Sequence, residues 1–149
     1  SYNRQAKQRI NNTISKSNMK VNPKIGITEA SLRSKIRSAL REIWRATSRK
    51  EFLEDIRIPH TGSGRNKYDV VCFKCGKVMG FSEKALFLKA NGEPRKKKTL
   101  VYQVDHNHGN PPFLDLERDL GAYAQSLIYG EMRVACYQCH TKITKNQRS

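Results

Sequence analysis

Four cysteines and one short Asp/His run are the side chains of this sequence with most chemistry to offer. The cysteines fall as two pairs, Cys72-Phe-Lys-Cys75 and Cys136-Tyr-Gln-Cys139. Two C-x-x-C pairs in a chain that opens without an apolar leader argue for metal ligation over disulfides. Four thiolates can surround one Zn²⁺ at about 2.3 Å. A closed four-thiolate site keeps no open coordination position, so the single zinc expected here is a structural clamp and not a catalyst. A redox dithiol is the competing reading. The duplicated pair, with no thioredoxin-like βαβ pattern around it, counts against that.

The clamp would close a loop of 60 residues between Cys75 and Cys136, and reactive groups lie inside it. The loop holds Asp105-His106-Asn107-His108, and His140 directly follows Cys139. A helix starting at the second pair would carry His140 in its first turn, where the zinc could hold it against the strand end that bears Asp105. A carboxylate and an imidazole meeting at one point can bind a divalent cation and leave positions open for water and phosphate. A neutral His106 beside them can take the proton of an attacking water. Plainer readings stand next to these. His106 and His108 could be further metal ligands or hydrogen-bonded histidines, and His140 could merely support the zinc cluster. His60 sits in a linker and receives no role.

Val104-Asp105-His106 on a strand, a loop, and then Cys136-x-x-Cys139-His140 resembles the HNH endonucleases with their ββα-metal fold. It is most similar to the phage recombination endonuclease VII branch, over roughly residues 66–147. The resemblance implies that Asp105 and His140 hold a catalytic Mg²⁺ or Mn²⁺, with His106 as general base, and that the substrate is DNA, branched DNA included. It also implies a phage-encoded protein acting inside the host cell, with a homodimer as one option. Two departures matter. The family's loop-pinning Asn has no counterpart near Glu131 or Arg133, leaving Asn107 or Asn110 as substitutes, with His108 as further support. The stretch from His106 to Cys136 is also long, as though it holds an added helix.

The elements that must position these groups can be read from periodicity. Thr28 is a plausible N-cap, and Leu32, Ile36, Ala39, Leu40, Ile43 and Trp44 then form one apolar stripe at helical spacing. Ser48-Arg-Lys-Glu51 reads as a capping box opening a second helix that Pro59 stops. The two make a helical hairpin whose stripe packs on the following domain and leaves Arg33, Arg37, Arg41 and Arg45 free for phosphates. Ser82 to Leu88 reads as a short helix, and Asn91-Gly92 as a turn into the basic block Arg95, Lys96, Lys97, Lys98. Thr99 to Val104 reads as a strand, Phe113 to Tyr129 as partly helical, and Met132 to Ala135 as a short strand. The tail from Tyr137 to about Gln147 reads as a helix carrying Lys142 and Lys145. In the first knuckle, Gly76 is needed for its backbone conformation.

The expected architecture is α+β. A basic flexible arm (1–27) leads to a basic helical hairpin and linker (28–65), then a small zinc-stapled ββα-metal domain (66–149). The 149 residues carry 29 Lys+Arg against 13 Asp+Glu, a net +16, which calls for a polyanionic partner, nucleic acid first. The arm also suits a protein partner. With 37% hydrophobic residues a single large core is not expected, and small cores need a staple. No run approaches the ~18 apolar residues of a membrane span, and no apolar leader is visible, so a secreted or membrane protein is not expected. The alternative function is a non-catalytic zinc-stapled nucleic-acid-binding or packaging adaptor of HNH ancestry.

Overall fold

The computed structural model describes residues 20–22 and 26–148. The basic arm expected over 1–27 therefore lies almost wholly outside the described residues. The fold is a small α+β arrangement of short antiparallel sheets and helices that divides into two compact units. Among the described residues no helix is long and apolar enough to cross a membrane.

The first unit reaches Ser48 and adds Asn110–Gly130. A two-stranded ribbon, β1 (Lys20–Asn22) with β2 (Ile27–Thr28), leads into helix α1 (Glu29–Ala46). Thr28 caps that helix, its hydroxyl accepting from the Ser31 N–H at 3.2 Å. The partner of α1 is α3 (Leu116–Tyr129), whose N-cap Asp115 accepts from the Arg118 N–H at 2.8 Å. Ile36, Leu40 and Trp44 of the stripe pack on Phe113, Tyr123 and Leu127. The Phe113 and Tyr123 rings stack at 5.1 Å. The buried Phe113 and Leu127 side chains each contribute about 1.5–3 kcal/mol by leaving water, and the half-buried α1 residues less. The two helix starts are joined by Glu29, which is 5% exposed and accepts the Leu116 N–H at 2.9 Å.

Here the structure departs from the sequence reading. Helix α2 (Ser48–Ile56) follows α1 after Thr47, but the unit boundary falls between Ser48 and Arg49. The helix packed on α1 is thus α3, whose Tyr123 and Leu127 meet the α1 stripe, while α2 belongs from Arg49 onward to the second unit and buries Leu53. The units divide between Ser48 and Arg49, between Gly109 and Asn110, and between Gly130 and Glu131.

The second unit comprises Arg49–Gly109 and Glu131–Ser149. Strands β3 (Ile58–Pro59), β4 (Tyr68–Val71) and β5 (Val78–Gly80) form one antiparallel sheet. Strand β8 (Tyr102–His106) pairs in antiparallel register with β9 (Met132–Cys136), and α4 (Tyr137–Arg148) continues directly from β9. Val70, Met79, Tyr102, Val104, Val134 and Ala135 make its core. The buried Tyr102 hydroxyl donates to the Phe81 carbonyl at 2.8 Å, so its burial leaves no unpaired donor.

Residues 82–88 are not a helix. Strands β6 (Lys84–Ala85) and β7 (Thr99–Leu100) pair, Leu88 bridges Pro94, and the Arg95 N–H donates to the Phe87 carbonyl at 2.9 Å. Gly92, at φ +86°, turns the chain back, and Phe87 stacks face to face on Tyr137 at 3.8 Å. Helix-forming residues are thus drawn into a β-arm by a turn and a tertiary contact, which outweigh intrinsic preference.

Candidate metal centre and the adjoining cleft

Each cysteine pair is held by its own local geometry. In the first, the Gly76 N–H donates to the Cys72 carbonyl at 3.0 Å and the Cys72 N–H to the Lys77 carbonyl at 2.9 Å. This turn needs Gly76 at φ +75°, as the sequence predicts. In the second, β9 delivers Cys136 and the first turn of α4 delivers Cys139, whose N–H points at Cys136 Sγ over 3.5 Å. The Phe73 N–H donates to the Val134 carbonyl at 2.8 Å and ties one knuckle to the other.

The four sulfurs lie within 4.8 Å of one another and could hold a zinc ion. Bonds of about 2.3 Å to a tetrahedral ion put sulfurs about 3.8 Å apart, and Cys75 Sγ to Cys136 Sγ is 3.8 Å. Among the described residues this is the one converging group of three or more metal-ligating side chains. The thiols are unlike one another. Burial works against ionisation of Cys72, yet the backbone N–H groups of Cys75, Cys136 and Lys74 bring it down to about 6. Cys139, bonded to Cys136 and buried, is pushed up to about 12. Four anionic sulfurs this close repel unless a cation sits between them, so zinc and full deprotonation go together.

Asp105 and His140, 35 residues apart, meet: His140 Nδ1 lies 2.9 Å from the Asp105 carboxylate. Asp105 stands opposite Arg133 in the ladder, and His140 is one residue past Cys139 on α4. A zinc ion held by the four cysteines would therefore fix the helix turn that carries the imidazole.

His106 is the last residue of β8, opposite Met132 and half-buried. Strand alternation puts it on the other side of the pleat from Asp105. His108 is exposed in the turn closed by the Gly109 N–H to the His106 carbonyl at 3.2 Å. Asn107 pins this turn: its N–H donates to the Glu131 carbonyl at 2.9 Å and its amide to the Glu131 carboxylate at 3.3 Å. Its Oδ1 is buried with no partner among the described residues, leaving an acceptor for an outside donor such as water. Asn110 instead accepts from the Ser126 hydroxyl at 3.0 Å, inside the first unit.

A cleft of about 780 Å³ opens beside the pair, with Lys89 and Arg95 of the β-arm on one side and Tyr137, His140 and Lys145 of α4 on the other. Lys96, Lys97, Lys98 and Lys142 are exposed in the same unit, and Arg41 and Arg45 are exposed on α1. Arg33 and Arg37 are not free as expected. Both donate to the Phe113 carbonyl, at 3.3 and 3.0 Å, and Arg37 also lies over the Phe113 ring at 5.4 Å.

Sequence reasoning missed Lys89, which gains meaning only once the arm folds back. It also missed that His60 holds Asp69, Nδ1 lying 2.9 Å from both carboxylate oxygens. Comparison of the chain with protein-family models, curated proteins and solved structures gives no match.

Proposed function

We propose that the chain is a metal-dependent endonuclease of HNH type that hydrolyses phosphodiester bonds in DNA. The observation that carries this reading is the 2.9 Å approach of His140 to Asp105, made at the edge of a cleft with cations on both sides. Asp105 and His140 would hold Mg²⁺ or Mn²⁺, which when bound polarises the scissile phosphate and stabilises the leaving oxygen. His106, the last residue of the strand, is the general base that the resemblance implies, and it takes the proton of the attacking water once its ring turns from the opposite face of the pleat toward Asp105. The Asn107–Glu131 pin holds the turn that follows it. Arg95 to Lys98, Lys142, Lys145, Arg41 and Arg45 bind backbone phosphates, which sets affinity and salt dependence without reading sequence. Deoxyribose-phosphate, in branched or plain duplex form, is the substrate class.

The second reading is a zinc-stapled nucleic-acid-binding adaptor that does not cut. The observation on its side is the same direct hydrogen bond, which satisfies both groups without any ion. Nicking of supercoiled plasmid separates the two. The nuclease reading expects nicking with Mg²⁺ or Mn²⁺, none when both are withheld, and a loss of at least 100-fold in His106→Ala, the usual weight of a general base. Plasmid left intact under every divalent ion, or nicked equally by His106→Ala, removes it.

A further inference from the structure

The geometry points to the cleft between the β-arm and α4 as a binding site for an unpaired nucleic-acid strand next to the bond to be cut. The choice of a nucleic-acid strand rests on the nuclease reading. Three observations carry the site itself. First, the cleft's volume of about 780 Å³ falls among those that enclose small ligands, 300–1,000 Å³, enough for one or two nucleotides. Second, cations from both elements line it, Lys89 and Arg95 of the arm and Lys145 of α4, and no carboxylate is among the described residues that line it. A phosphate lying there is attracted by both elements. Third, part of the lining is apolar: Leu88 is 60% exposed at the arm, and Tyr137 is kept in place by Phe87 stacked at 3.8 Å. An exposed leucine and a fixed ring beside lysines suit a base with its phosphate, since strand binding pairs cations along the backbone with apolar platforms for bases.

His140 connects the cleft to the candidate centre. Its ring lines the cleft and its Nδ1 is held by Asp105, so a strand lying there is brought next to the pair. The arm, which places Lys89 and Arg95, then acts as a clamp on the strand, and the preferred substrate carries unpaired nucleotides beside the cut.

Anisotropy of 5′-fluorescein-dT12, compared with a 12-base-pair duplex, tests this on the zinc-loaded full chain with no further divalent ion added. The expected result is dT12 bound at least as tightly as the duplex. It is weakened roughly tenfold by Lys89→Glu with Lys145→Glu, and severalfold by Ala90→Trp, which fills the cleft without changing charge. If A90W binds dT12 as wild type does, the strand runs elsewhere and the proposal is overturned, whatever the charge reversal does. A duplex bound tenfold more tightly than dT12 also overturns it. Plasmid nicking keeps the two readings apart. Cleft-dependent dT12 binding without nicking retains the site and removes the nuclease, whereas nicking with A90W unchanged in binding removes the site alone.

Discussion

Two histidines of this chain hold a carboxylate through Nδ1, and their settings give them different consequences. His140 meets Asp105 beside the zinc cysteines, at the edge of a cleft. His60 meets Asp69, which is 7% exposed on β4. The Asp69 hydrogen bond and, next, the Ser63 carbonyl raise the His60 pKa above its ordinary ~6.5. With the folded value raised, the pair's stabilisation is full below pH ~6.5 and is lost as the pH climbs through the folded value. The melting-temperature gap between wild type and His60→Gln is therefore expected to be wider at pH 5.5 than at pH 8.5. An equal gap at both would show that the proton is not linked to folding. The Asp105–His140 meeting was legible in the sequence because Cys139 and His140 are adjacent, so placing the metal places the imidazole. His60 was not, because its partner is set by the register of Ile58 against Asp69, which no local pattern encodes.

Among the elements, those with a strong period or cap came through: α1 behind Thr28, the strand into Cys136, the helix after it. What the period could not say was which partner a stripe would choose. Glu29 decides part of that, since its buried carboxylate receives the Leu116 N–H and so registers α1 against α3. Glu29→Ala leaves that amide unpaired and is expected to destabilise the helical pair by about 1–3 kcal/mol. Urea unfolding followed through Trp44 fluorescence would measure it, and a midpoint unchanged from wild type would deny Glu29 this role. The β-arm was misread for a related reason. Lys84 to Ala90 is good helix sequence, and only the Gly92 turn and the Tyr137 ring draw it into pairing.

For the molecule as a whole, the spacing of the cysteines foretold the four-sulfur cluster that could hold zinc, whereas no local pattern marks where the two units divide. Both halves of the cysteine cluster belong to the second unit, whereas the Phe113–Tyr123–Leu127 core of the first contains no thiol. Structural zinc contributes about 10–16 kcal/mol in small sites, as much as the whole net stability of a typical domain. Chelation is therefore expected to abolish hydrogen-exchange protection along β8, β9 and α4 while residues 29–46 and 116–129 lose far less. Uniform loss over both groups, or none, would contradict that independence. The net charge of +16 adds a measurable signature: DNA affinity should fall steeply between 50 and 200 mM salt.

The chain enters the second unit at Arg49, leaves it after Gly109 and returns at Glu131. On the ribosome, α1 emerges early with Ile36, Leu40 and Trp44 uncovered, and their cover is not made until residues 113–127 have followed. The sulfur cluster waits longer still, for Cys139. Neither core can close before these later segments have followed, so the nascent polypeptide carries an unshielded apolar helix from the emergence of α1 until that of α3. A chaperone that grips such a helix would find its target in that interval and lose it when α3 arrives.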